Sequence, residues 1–182
     1  GKILYSLGKL KDAELSYRKA IALNPSFSDA YYDLGNLFFD LNKLKDAELS
    51  YRKAIQLNPN FTAAHYNLGR ISIYLGKLKD AELSYRKAIE LNPNFVICHA
   101  NLGDLLRDLG KLKDSEFHTR KAIEINPNYA IAHSNLGDFL RDHGNLKDAE
   151  VSARKAITLN PNYAIAHCLS LIHISEPTRR TQ

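Results

Sequence analysis

Apolar and small residues recur along this chain at helical spacing. In the stretch 28–40 they fall at Ala30, Tyr31, Leu34, Gly35, Leu37 and Phe38, three and four positions apart. At about 100° per residue that spacing gathers them on one face of a helix. The remaining positions, Asp29, Tyr32, Asp33, Asn36, Phe39 and Asp40, share the opposite face. A short break follows, and then a second helical stretch opens with the acids Asp46 and Glu48 and closes with the bases Arg52 and Lys53. That order suits the helix dipole. Pro59, which has no backbone N–H, ends the second helix. The break itself carries Gly8, Asn42, Gly76, Gly110 and Gly144 in successive copies, residues that readily take a positive φ after a helix end.

These copies set the architecture. The tract Lys-Leu-Lys-Asp-Ala-Glu-Leu-Ser-Tyr-Arg-Lys-Ala-Ile occurs word for word at 9–21, 43–55 and 77–89, and looser versions start at Lys111 and Asn145, always 34 residues on. Asn24-Pro25, Asn58-Pro59, Asn92-Pro93, Asn126-Pro127 and Asn160-Pro161 keep the same beat. Fixed self-similarity of this length predicts a stack of helix pairs in place of one central core. Complete units span 28–61, 62–95, 96–129 and 130–163, preceded by a partial unit 1–27 and followed by the start of another at 164–168.

Unit 28–61 carries Tyr31, Leu34-Gly35, Phe38, Ala47, Tyr51, Ala54 and Pro59 at fixed offsets. In this the chain resembles the tetratricopeptide repeat (TPR) family. The resemblance implies an all-α, right-handed superhelical solenoid of antiparallel helix pairs over residues 1–168. It departs from the family pattern at His65, His99, His133 and His167, which replace the first aromatic. Ser115 replaces a small Ala, and Thr119 and Ala153 replace an aromatic, which predicts looser packing in the later units. Four histidines spaced by 34 residues would stand roughly 10 Å apart in stacked helices, too far to share one metal ion, so each is expected to serve as a flat packing ring.

The resemblance also implies that the polar face of each first helix lines the concave surface, where family members bind extended peptides or partner helices. That assigns a partner-binding groove to Tyr32, Asp33, Asn36 and Phe39, to Tyr66, Asn67, Arg70 and Tyr74, to Asn101, Asp104 and Arg107, and to Asn135, Asp138 and Arg141. The groove changes from aromatic to charged along its length. Asn67, Asn101 and Asn135 recur at one position, similar to the asparagine ladder in the repeat domain of O-linked N-acetylglucosamine transferases. Such amides either hold a peptide backbone or tie neighbouring repeats together. A clamp for a terminal carboxylate is not expected, because no base stands among Tyr32, Tyr66, Ala63, Ile97, Asn67 and Asn101.

After His167 the repeat pattern breaks. Leu169 to Arg179 resembles the in-frame translation of a transposase adapter used for sequencing libraries, so 169–182 is expected to be a non-native tail. With no initiating Met at the other end, the chain is expected to be a fragment of a longer protein.

Composition adds exclusions more than functions. At 45% hydrophobic and 25% charged the chain is an ordinary folded protein, with no apolar run near the roughly 20 residues that span a bilayer. No signal peptide is visible, and Cys98 and Cys168 are too few for a disulfide framework, which points to the cytoplasm. The net charge of +5 does not concentrate: units 28–61 and 62–95 carry −1 and +2, and the next two carry none. A nucleic-acid surface needs a continuous basic stripe, so no nucleic-acid partner is expected. No phosphate loop, nucleophile with an orienting partner, metal site or cofactor site stands out, and the chain itself is not expected to be an enzyme. The expected function is a scaffold that binds a protein or peptide. The alternative is the substrate-docking region of a larger transferase, and self-association end to end through uncapped helices is a third option.

Overall fold

A computed structural model describes residues 1–161 of the chain. All regular structure among them is helical: α1 (Lys2–Ser6), α2 (Leu10–Leu23), α3 (Ser28–Asp40), α4 (Leu44–Leu57), α5 (Thr62–Tyr74), α6 (Leu78–Leu91), α7 (Val96–Asp108), α8 (Leu112–Ile125), α9 (Ala130–Asp142) and α10 (Leu146–Leu159). His167, Cys168 and the expected non-native tail lie outside the described residues. The array divides into two compact units, Gly1–Pro93 and a second beginning at Asn94. Each is built of antiparallel helix pairs, the all-α repeat architecture expected.

Local chemistry sets both kinds of turn. After α3 the Asn42 N–H donates to Phe39 O at 2.9 Å and the Lys43 N–H to Phe38 O at 2.8 Å, with Asn42 at φ 56°. The same pair of bonds follows α5, α7 and α9, closed by Gly76, Gly110 and Gly144 at φ between 71° and 75°. This is a Schellman motif, and its left-handed residue is why only Gly or Asn occupies the break. At the other turn, Asn58 is extended, as the residue before a proline must be, and its side-chain Oδ1 accepts from the Asn60 N–H at 3.2 Å. Asn24 and Asn126 do the same for Ser26 and Asn128 at 3.1 and 3.0 Å. The Asn-Pro pair is therefore an Asx turn that bridges a residue lacking an N–H.

Within a pair the helices cross at glycine. A Cβ on Gly35 would stand 2.7 Å from the Tyr51 ring, and one on Gly69 would stand 2.6 Å from the Tyr85 ring. Both tyrosines are 1% exposed. In the first unit Leu34, Leu37, Phe38, Tyr51, Leu68 and Ile71 form one core with Ala13, Tyr17 and Ala47. In the second, Leu136, Phe139 and Leu140 pack on Ala149, Ala153 and Ala156.

Two expectations need correction. Thr119 does not loosen its crossing. A Cβ on Gly103 would meet Thr119 Oγ1 at 2.4 Å and backbone atoms of Thr119 and Ser115 at 3.1 and 3.2 Å, so this crossing is as tight as those at Gly35 and Gly69. Arg52 and Lys53 do not serve the helix dipole either, because α4 runs on to Leu57 and leaves no base in its last turn. Arg52 instead reaches back one turn to Glu48 at 2.9 Å, and the equivalent Arg86–Glu82 and Arg120–Glu116 pairs repeat this.

Candidate functional site

In the first unit, α3 and α5 bring most of the expected groove residues into one connected set. Tyr51 OH, reaching across the crossing from α4, donates to Asn36 Oδ1 at 2.8 Å. Asn67 Nδ2 donates to the same Asn36 Oδ1 at 3.0 Å and to Tyr32 OH at 3.2 Å. Arg70 Nη1 donates to Asn67 Oδ1 at 3.4 Å, and its guanidinium carbon lies 4.7 Å from the Phe39 ring centroid and 5.8 Å from that of Tyr66. Phe39 in turn meets Tyr74 at 5.7 Å, and Tyr32 meets Phe61 at 4.7 Å. Tyr74 is 64% exposed beside Ile73, so this edge of the face presents aromatic surface backed by a cation. Asp33 lies lower, half-buried, with Lys2 Nζ at 3.6 Å; burial raises its carboxyl above the ordinary range despite the opposing ammonium. Tyr5 OH donates to Asp40 at the neighbouring edge.

The face of the second unit is ionic. Arg107 lies 2.8 Å from Asp104, 3.5 Å from Asp108 and 3.8 Å from both Asp138 and Asp142. Arg141 pairs with Asp138 and Asp142 at 3.0 Å each. Four carboxylates thus face two guanidiniums, and the face is acidic overall. Asn101 is half-buried on the same helix as Asp104 and Arg107. Asn135 Nδ2 donates to Ala100 O, one repeat back, at 3.0 Å.

Not every position on the polar face of the first helices faces solvent. Asn67 is 9% exposed, and Ala100 and Ser134 are fully buried. The amides of Asn67 and Asn135 are engaged between repeats, because adjacent first helices pack closely enough for this position to meet its neighbour. The histidines also differ from simple packing rings. His65 Nε2–H donates to Pro59 O and His133 Nε2–H to Pro127 O, both at 2.9 Å, tying each first helix to the turn before it. His99 instead meets His118 with 3.0 Å between their Nδ1 atoms, and both are buried. His118 stands where the other second helices carry Ser, a pairing that spacing alone did not signal.

Among the described residues no group of three or more His, Cys, Asp or Glu is placed to hold a metal ion. Burial pushes the Cys98 thiol up to about 12, so it is protonated and a poor nucleophile at neutral pH. No described helix is long and apolar enough to cross a membrane. The second helices carry a feature not expected above: Leu15, Leu49, Leu83, Phe117 and Val151 occupy one register position there and are 55–67% exposed. The signal was present, since the Leu lies inside the tract repeated verbatim.

Comparison with known proteins agrees with this geometry. Among curated proteins none matches the sequence. The structure is similar to that of YrrB, a TPR protein with an unusual peptide-binding site, at 26% identity and TM-score 0.78, over 95% of this chain and 87% of that one. It is similar to MamA at 22% identity and TM-score 0.80, over 88% and 94%. It is also similar to a thermophilic TPR protein in Thermus thermophilus, at 20% identity and TM-score 0.74, over 95% of both chains. Tetratricopeptide repeat models match residues 28–61 and 62–95, a second such model matches 84–117 and 118–151, and a TPR repeat model matches 1–40. The repeat length, the glycine crossings and these matches together place the chain in the tetratricopeptide repeat family, whose fold is that of a protein-interaction scaffold.

Proposed function

We propose that the chain binds a segment of a partner protein on the exposed face of its first helices. The observation that carries this reading is the edge where the Arg70 guanidinium lies 4.7 Å from the Phe39 ring centroid and Phe39 in turn meets Tyr74, which is 64% exposed. Exposed aromatic surface of this kind costs solubility unless a partner covers it, and aromatic and Arg side chains dominate binding energy at protein interfaces. The face of the first unit suits apolar or aromatic side chains. That of the second unit, with its four carboxylates, suits basic ones. YrrB supports the reading by likeness, as a repeat protein of similar structure that has a peptide-binding site.

The asparagines have a different role in this proposal. With Asn67 and Asn135 engaged between repeats, side-chain contacts carry recognition, in contrast to a ladder of free amides on a peptide backbone. The test is a peptide-display selection on the wild-type chain, followed by titration of the selected peptides against Arg70→Ala/Tyr74→Ala. Loss of a cation–π contact and an aromatic contact should weaken binding by about tenfold or more, while the melting temperature stays near wild type. Selected peptides that bind the double variant as well as the wild type would refute the assignment.

A further inference from the structure

We infer a second interaction surface, on the second helices, that takes an acidic amphipathic helix of a partner protein. It stands on a pocket that recurs with the repeat and is independent of the first-helix face. Between α4 and α6 a pocket of about 430 Å³ has an apolar floor of Ile55 and Leu68 and an exposed rim residue, Leu83, with Arg52 and Lys87 also lining it. The preceding pocket, between α2 and α4, holds about 310 Å³ and places Leu34, Phe38 and Leu49 between Arg18 and Lys53. In the second unit a pocket of about 490 Å³ places Ile123, Leu136 and Val151 between Arg120 and Lys155. The residues named for this one are those of the α4–α6 pocket displaced by two repeats.

The exposed Leu is what the fold leaves unexplained. The inward face of α4 is complete with Ala47, Ser50, Tyr51 and Ala54, all buried, yet Leu49 stands 67% exposed at the pocket rim and Leu83 does the same one repeat on. In the first unit two successive repeats each set an apolar rim residue beside an apolar floor, a pair of side-chain sockets.

Charge selects the occupant. The lining of the α4–α6 pocket has two bases and no acid, that of the α2–α4 pocket has Arg18, Lys43 and Lys53 against Asp46, and that of the second unit has two bases against Glu124. Arg52 is already paired with Glu48 and Asp80, and Lys87 with Glu90. These are surface pairs of small net worth, which a partner's carboxylate can supplement or replace. Spacing selects the form. Neighbouring sockets in the first unit recur one repeat apart, with Leu49 lining one and Leu83 the next. An amphipathic helix presents apolar residues along one face with Asp or Glu beside them, so one helix can offer an apolar side chain to each of two successive sockets. Separate pockets, each lined by its own bases, suit the side chains of a helix more than a continuous lipid surface.

The test uses the full chain and a display library of helical peptides, selected on wild type and counter-selected on Leu49→Asp/Leu83→Asp. Both leucines are exposed, so the double variant should melt like wild type. The expected winners carry apolar residues along one helical face with acidic neighbours. They should bind the Leu49→Asp/Leu83→Asp variant at least about tenfold more weakly and bind Arg70→Ala/Tyr74→Ala unchanged. Winners without that pattern, or with binding indifferent to the leucine changes, would overturn the inference. So would phosphatidylglycerol vesicles that bind the wild type and release the leucine variant when no patterned peptide is enriched. Failure of the first-helix proposal leaves this result untouched, because the two faces are probed by separate variants.

Discussion

Replacing Asn67 by Ala tests whether the recurrent asparagine is a structural tie or a free contact for ligands. The side chain is 9% exposed and donates to Asn36 Oδ1 at 3.0 Å and to Tyr32 OH at 3.2 Å, while receiving a long bond from Arg70 at 3.4 Å. Two ordinary hydrogen bonds contribute about 0.5–1.5 kcal/mol each. The loss should fall in the lower part of the summed range, about 1–2 kcal/mol, because Asn36 keeps its bond from Tyr51 and the half-buried Tyr32 hydroxyl can turn to water. In a chain of this size that lowers the melting temperature by about 2–8 °C. Urea unfolding should be followed by circular dichroism and by tyrosine fluorescence, since repeat arrays can lose cooperativity and the two probes must coincide for a free energy to be drawn. A double-mutant cycle with Asn36→Ala isolates the contact, with an expected coupling of about 0.5–1.5 kcal/mol. A variant that melts within about 1 °C of wild type, with no coupling to Asn36, would mean the amide is free to meet a partner and the tie carries no stability.

Two other outcomes follow from the same geometry. Gly69→Ala places a methyl 2.6 Å from the ring of Tyr85, which is 1% exposed and cannot swing aside, so a stability loss of about 1–3 kcal/mol is expected in urea titration; an unchanged midpoint would show that the crossing has slack. Glu48 is subject to burial, which alone would raise its carboxyl, but hydrogen bonds from Lys77 and Arg52 outweigh this and hold it below the ordinary range. Its ionised form therefore stabilises the native state fully above the unfolded pKa of about 4.3, and that contribution is lost as pH falls through the lower native value. Glu48→Gln should flatten the acid side of the stability profile, and identical profiles for variant and wild type would remove Glu48 from the account.

Much of the fold was legible in the residues because its determinants are local and repeated. The Gly or Asn that recurs every 34 residues at the break takes the left-handed conformation there, and an Asn-Pro pair ends a helix, so helix boundaries follow without any long-range information. The apolar spacing in Ser28–Asp40 likewise told which face of α3 packs. What the pattern could not decide was how far that packing reaches around each helix. Asn67 lies on the polar face by periodicity, and only the approach of α5 to α3 puts it within 3.0 Å of Asn36. The same approach turns Arg70 and Phe39, remote in sequence, into a stacked pair. Leu49 shows the converse, an apolar residue in a helix whose buried face is already filled by Ala47, Tyr51 and Ala54. Composition counts such a residue toward a core. The crossing of two helices at a glycine leaves it outside, at the rim of a pocket, because a helix in a stack of pairs has only so much surface to bury.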